Sequence, residues 1–172
     1  MIITVFGTGS PTNEGYKEAY ELGRKIALAG HTLKNGGYAG TMEASAKGCA
    51  ENGGKAIGVC VSGHKIAYAG KPNDYVTEVI ERNSLVERLD ELLKADRIII
   101  LKGKVGTLEE LFRAWTENIF RASESSLTIP LYLVGKKNKE LFDFLRQNDF
   151  IEPEYLSHIN VVDSIEGIDF LL

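Results

Sequence analysis

Cysteine is scarce in this chain: two occur in 172 residues, Cys49 and Cys60, without CxxC spacing. Both read as small core residues, since free cysteine is usually buried. The three histidines, His31, His64 and His158, are scattered. They show no metal-ligand spacing, so no metal site and no cofactor are expected. Excess positive charge is lacking too. The net charge of -4 argues against a protein held on nucleic acid by bulk charge. A local basic patch around Lys34, Lys102 and Lys104 stays open. No apolar run approaches the roughly 20 residues of a membrane span. Met1 to Phe6 has no basic n-region and runs straight into a strand, so no signal peptide is expected and the chain reads as cytoplasmic. Apolar residues at 44 % and charged residues at 26 % are an ordinary balance for one domain over residues 1–172 with a sizeable core.

What is abundant is glycine at particular places. Asn35-Gly36-Gly37-Tyr38-Ala39-Gly40-Thr41-Met42-Glu43 and Gly103-Lys104-Val105-Gly106-Thr107-Leu108-Glu109-Glu110 each join an apolar strand to a helix. Glycine lets backbone N–H groups face a ligand unobstructed. A helix N-terminus adds unpaired donors and partial positive charge, which suits phosphate or carboxylate. One such turn often only makes a tight bend; two point to a shared anion pocket.

Strand and helix signals alternate along the chain. Strands are expected at Ile2 to Phe6, His31 to Leu33, Ala56 to Val61, Arg97 to Leu101, Pro130 to Val134 and Ile159 to Val162. The first helix carries Ala19, Leu22 and Ile26 inward and ends at Gly30; a small-residue helix covers Thr41 to Ala50. Ser62 to Thr77 reads as a long loop of the kind that often serves function. Asn83 or Ser84 caps a helix with Leu85, Leu89, Leu92 and Leu93 inward. The next carries Leu108, Leu111, Phe112 and Trp115, and Trp115 reads as core or a dimer face. Asn138 to Gln147 is a further helix, and the Lys136-Lys137-Asn138-Lys139 run reads as a solvated turn. Repeated βα units imply an α/β three-layer sandwich with a mainly parallel sheet and ligands at the carboxyl ends of strands.

The usual nucleotide signatures fail. Gly7-Thr8-Gly9 begins a dinucleotide fingerprint, but Thr12 takes the third glycine's place and Lys34-Asn35 stands where the ribose-binding acid belongs. No P-loop is present. The order Val5-Phe6-Gly7-Thr8-Gly9-Ser10-Pro11, Asn35-Gly36-Gly37 through Met42-Glu43, Gly58-Val59, then Gly106-Thr107-Leu108-Glu109-Glu110 instead resembles the LOG family over nearly the whole chain. That family is Rossmann-like. Its members were long labelled lysine decarboxylases, an activity for which no lysine here has a pyridoxal-phosphate context. Several cleave cytokinin or purine nucleoside monophosphates into base and ribose 5-phosphate. Similar proteins carry molybdenum cofactor without hydrolysing it.

The resemblance implies a homodimer that binds a nucleotide or other phosphorylated small molecule. It places Gly36, Gly37, Gly40, Thr41, Gly103, Gly106 and Thr107 at the phosphate, Met42 near the ribose or base, and Gly7 to Ser10 along the nucleotide's edge. Glu110 matches the motif glutamate that acts on the ribose, and Arg88 is the nearest candidate for the family's arginine, with Arg82 as fallback. Plainer readings stand beside these. Glu110 would serve as a first-turn acid on its helix. Arg88 would be a solvated residue or an i,i+3 partner of Glu91. Gly7 to Ser10 would be a simple βα turn. Tyr38 and His64 are candidates to face a base, against a structural role for each. The sequence departs from the family's Pro-Gly-Gly-x-Gly-Thr-x-x-Glu at Lys102-Gly103-Lys104, where the second glycine has become lysine. That side chain would either block the family substrate or offer charge to a larger anion such as a diphosphate.

Overall fold

The computed structural model describes residues 1–62, 71–124 and 126–168. Seven strands, β1 (Ile2–Phe6), β2 (Thr32–Asn35), β3 (Lys55–Val61), β4 (Glu78–Arg82), β5 (Arg97–Ile100), β6 (Leu131–Val134) and β7 (Asn160–Val162), form one sheet in the order β4-β3-β2-β1-β5-β6-β7. All six neighbouring pairs are parallel. Five α-helices connect or follow them: α1 (Asn13–Leu28), α2 (Thr41–Glu51), α3 (Leu85–Leu92), α4 (Val105–Ser123) and α5 (Lys136–Gln147).

β1 lies at the centre because almost every residue in it is apolar and both its faces are covered. Ile3 registers with Leu33 of β2 on one side, and Phe6 with Ile100 of β5 on the other. The chain winds outward from β1 to β4 and then returns to β1's free edge as β5. The strand order therefore reverses between β1 and β5, and the crevice at their carboxyl ends is the expected ligand position in such a sheet.

Two cores sandwich the sheet. Ile3, Val5, Leu22, Ile26, Leu33, Ala46 and Ile99 pack beneath α1 and α2. Phe6, Val59, Leu92, Ile98, Ile100, Leu111 and Trp115 pack beneath α3 and α4, with Leu141 and Leu145 of α5 against them. α1 and α2 approach closely because each contributes a glycine at the crossing. A Cβ on Gly23 would overlap the Ser45 carbonyl, and one on Gly48 the Tyr20 carbonyl. Trp115 is core: its ring stacks on Phe142 at 5.9 Å, and its indole N–H donates to the Tyr155 carbonyl at 3.0 Å. Cys49 and Cys60 are buried free thiols. Among the described residues no helix is long and apolar enough to cross a membrane.

Several expectations are corrected. β4 was not anticipated; it is an edge strand whose Val79 is 43 % exposed, so Glu78-Val79-Ile80-Glu81-Arg82 lacks the apolar density of an interior strand. Leu85 is exposed rather than inward, because α3 starts at it and only the helix's C-terminal turn reaches the core. Phe112 also lies on the open side of α4. The lysine run at 136–139 opens α5 instead of forming a turn. Its Asn138 is buried, donating to the carbonyls of Ile100 at 3.1 Å and Val134 at 2.9 Å. Lys34 belongs to no surface patch. It is 2 % exposed, donates to the carbonyls of Glu91 and Lys94, and lies 3.8 Å from the Glu91 carboxylate. With the Thr4 hydroxyl donating to the Leu92 carbonyl at 2.7 Å, it fastens the end of α3 to the sheet.

Candidate functional site

Three turns meet at the carboxyl ends of β1, β2 and β5. After β2, Asn35 organises the first glycine turn. Its buried amide donates to the Met42 carbonyl at 2.8 Å and the Ser45 hydroxyl at 3.1 Å, while its oxygen accepts from the Gly37 N–H at 2.8 Å. Gly37 and Gly40 have φ of 75° and 74°, in the left-handed region that side chains resist. Gly40 also faces the β1 turn so closely that a Cβ would overlap the Thr8 carbonyl.

The hydroxyls of Thr41 and Thr107, the two threonines expected at a phosphate, donate within the scaffold. Both the N–H and the hydroxyl of Thr41 donate to the Thr8 carbonyl, at 2.9 and 3.1 Å. The Thr107 hydroxyl donates to the Gly7 carbonyl at 2.5 Å. These bonds staple the glycine turns of β2 and β5 onto the β1 turn. Gly7 and Gly103 leave room for the staples, since a Cβ on either would overlap the Thr41 or Thr107 side chain. The threonine hydroxyl protons are therefore committed to the scaffold.

The donors left over are backbone groups. α2 and α4 begin at Gly40 and Lys104 without a side-chain cap, whereas α1 and α3 are capped by the hydroxyls of Thr12 and Ser84. The N–H groups of Met42, Glu43, Val105, Gly106 and Thr107 have no acceptor among the described residues. Such uncapped first turns carry the positive end of the helix dipole. They are the groups that can receive an anion.

Beside them sits the pair formed by Arg88 and Glu110. The Arg88 Nε donates to the Val59 carbonyl at 2.8 Å, and the guanidinium lies 5.6 Å from the centre of the Tyr38 ring. Its Nη1 is 3.8 Å from the Glu110 Oε1, with both side chains about one-seventh exposed, at 13 % and 15 %. Gly36 makes this possible, because a Cβ there would overlap the Arg88 Nη2 and press on the Met42 sulfur. Tyr38 is itself structural: its hydroxyl accepts from the Val61 N–H at 3.0 Å. Burial pushes the Glu110 carboxyl up to about 8, against the opposing pull of Arg88 and with a small push from Glu109. A carboxyl with that pKa can take up or release a proton near neutral pH.

The plainer readings of this pair fall. α4 begins at Val105, so Glu110 lies beyond the first turn and no acid occupies that turn. Glu91 is engaged by Lys34, Arg82 and Lys94, and not by Arg88. The fallback Arg82 is held by Glu91 at 2.6 Å, away from Glu110. His64 lies outside the described residues.

Two clefts flank the turns. One of about 400 Å³ is lined by Tyr38, Glu43, Asn73 and Tyr75. The other, about 220 Å³, lies at the switch point between the β1 and β5 turns, with Thr8, Ser10, Thr41, Lys102 and Lys104 in its wall. Sequence reasoning missed Asn73, whose amide donates to the carbonyls of Gly37 and Tyr38 at 3.0 and 2.9 Å and braces the first glycine turn. A partner 36 residues away leaves no local signal.

A model of the SLOG cluster4 family matches residues 1–121. A cytokinin riboside 5'-monophosphate phosphoribohydrolase of Mycobacterium tuberculosis is 29 % identical over 174 residues, covering 95 % of this chain and 89 % of its own. The structure of a molybdenum cofactor binding protein from Rippkaea orientalis superposes with a TM-score of 0.75 at 27 % identity, covering 99 % of this chain and 93 % of that one. The molybdenum cofactor carrier protein of Chlamydomonas reinhardtii shares the fold, with a TM-score of 0.67 at 24 % identity over 96 % and 91 % of the two chains.

Proposed function

Because the chain belongs to the SLOG cluster4 family, we propose that it binds a nucleotide-like phosphorylated ligand and hydrolyses the N-glycosidic bond of nucleoside 5'-monophosphates. The observation that carries the reading is the Arg88–Glu110 pair, with a carboxyl poised near 8, beside two helix starts with N–H groups that have no acceptor among the described residues. The phosphate would accept from the N–H groups of Met42, Gly106 and Thr107, within the turns built by Gly36, Gly37, Gly40 and Gly103. The ribose would lie between Met42 and the Gly7 to Ser10 turn, with its hydroxyls toward Glu110. A phosphorylated ligand is also consistent with the names of the relatives.

In the reaction, the bond between C1′ and the base nitrogen breaks and its electron pair leaves with the base. Water oxygen bonds to C1′. The ionised Glu110 takes the proton released by that water and stabilises the oxocarbenium-like charge developing at the sugar. The leaving base picks up a proton and departs neutral. Arg88 keeps Glu110 partly ionised and offers guanidinium donors to ligand oxygens.

A second reading, a non-catalytic carrier of a phosphorylated ligand, is favoured by Lys104 at the N-cap of α4, where the family motif has glycine. The protein is proposed to act in the cytoplasm as a homodimer; Val105, Phe112 and Phe120 leave an apolar stripe exposed along α4 that a second copy would cover. Incubation with AMP, GMP, CMP and UMP, followed by chromatography of free base, tests the catalytic reading. Base release that disappears in Glu110→Gln supports hydrolysis. Ligand binding without any base release supports the carrier.

A further inference from the structure

α3 carries Arg88 toward Glu110, yet little apolar contact holds the start of that helix. It has only eight residues. Leu85 and Val86 in its first turn are exposed, while Leu92 at its end and Leu93 just beyond are buried. The Arg88 Nη1 stands 3.8 Å from the Glu110 carboxylate. Attraction falls with distance, so any further tilt of α3 away from α4 weakens this pair. The bond from Arg88 Nε to the Val59 carbonyl anchors the side chain but not the helix. The Asp90–Arg113 pair joins α3 to α4, but both side chains are half exposed and such pairs hold weakly.

Glu91, three residues on from Arg88, gathers three cations. Its Oε2 accepts from Arg82 Nη2 at 2.6 Å and from Lys94 Nζ at 2.9 Å, and its Oε1 lies 3.8 Å from Lys34 Nζ. Arg82 ends β4 and Lys34 lies in β2, so one carboxylate ties α3 to two strands. The Lys34 ammonium also donates to the carbonyls of Glu91 at 3.1 Å and Lys94 at 2.7 Å, at the negative end of the helix dipole. Glu91 and Lys34 are buried. Apolar side chains of similar volume would pack there at no greater cost, but charged hydrogen bonds also fix direction. Burial pushes the Glu91 carboxyl up, yet the bonds from Lys94 and Arg82 pull it below its ordinary value. It therefore stays ionised while Glu110 titrates.

We propose that Glu91 is a positioning residue for the site: clasped by Lys34 and Arg82, it sets the tilt of α3 and so holds the Arg88 guanidinium against the Glu110 carboxylate. The proposal rests on the Arg88–Glu110 reading above and extends it to residues that touch no ligand.

The test reads the ionisation of Glu110, whose charged neighbours are Arg88 and Glu109. Glu91→Gln, Arg82→Gln, Arg82→Lys and, as a control, Asn118→Ala are each made with and without Glu110→Gln. The difference in Tm within each pair is followed from pH 5 to 10. In the wild-type background it should stop growing near 8. Glu91→Gln and Arg82→Gln should move that point up by about half a unit, or roughly threefold tighter proton binding. Arg82→Lys, which keeps a cation on Glu91, should restore it. Asn118→Ala, which loses bonds to Ile129 elsewhere in the fold, should lower Tm without moving the point. Base release should fall about tenfold in the two glutamine variants and return in Arg82→Lys. If Glu91→Gln fails to fold with Lys34 left buried, Arg82→Gln decides, because Arg82 is partly exposed. An unmoved point in folded Arg82→Gln overturns the proposal, even where base release falls. An equal movement in Asn118→Ala also overturns it. Absence of base release from the wild type sinks the hydrolytic reading alone, since the melts need no substrate and still decide the clasp.

Discussion

Replacing Glu110 with glutamine should stabilise the fold at alkaline pH and leave it nearly unchanged at pH 5. The carboxyl is buried enough to move from its ordinary 4.5 to about 8 in the native state. Between those two values the native chain holds a proton that the unfolded chain has lost. Stability therefore falls as pH rises through that window, and above about 8 the full cost of the buried charge is present. A shift of that size corresponds to at most about 5 kcal/mol. Glutamine keeps the shape without ionising, but its amide still loses water and it no longer attracts Arg88. A net gain of about 2 kcal/mol at pH 9 remains, or roughly 4–8 °C in Tm for a domain of this size. Thermal melts of wild type and Glu110→Gln, paired at each half unit from pH 5 to 9, read the difference directly. A difference that grows from near zero to several degrees supports the reasoning. A constant difference across that range, or one that favours the wild type at pH 9, would refute it and place Glu110 in a wetter setting than the structure shows.

The same carboxyl sets the pH profile of activity. If ionised Glu110 is the base, kcat/KM should climb with pH, reach half its limit at about 8 and level off above that, and Arg88→Ala should move that limb to higher pH while lowering the plateau about 100-fold, as steady-state base release would show. Gly36→Ala should imitate the loss of Arg88 because its new Cβ displaces the guanidinium; base release should fall at least about tenfold while circular dichroism stays near wild type. Asn35→Ala removes three hydrogen bonds from the first glycine turn, so urea unfolding should show a loss of about 2–3 kcal/mol, and an unchanged midpoint would mean the turn holds itself.

Much of the architecture can be read locally. Buried parallel strands such as Ile2–Phe6 are continuous apolar runs, and the glycine turns announce themselves by composition. β4 escaped notice because an edge strand needs few apolar residues, and Ile80 alone in it packs against the core beneath. Leu85 misled for the opposite reason: helical spacing says which residues share a face, and not how far along the helix that face is covered. Lys34 looked like surface charge. Only the arrival of the end of α3, 57 residues later, supplies the carbonyls and carboxylate that make its burial tolerable.

By itself the sequence determined the α/β class and the two glycine turns, while its resemblance to the LOG family put forward Glu110 and Arg88 as separate candidates. The class and the turns follow from short-range rules: apolar periodicity and the backbone freedom of glycine. The tertiary structure decided which groups are free to act. It spent the Thr41 and Thr107 hydroxyl protons on carbonyls of the β1 turn, left backbone N–H groups at the starts of α2 and α4, and chose Arg88 over Arg82. It also raised the Glu110 pKa to about 8. Hydrogen-bond satisfaction and desolvation depend on which segments pack together in space, and strands β1, β2, β3 and β5 meet only when the sheet is assembled.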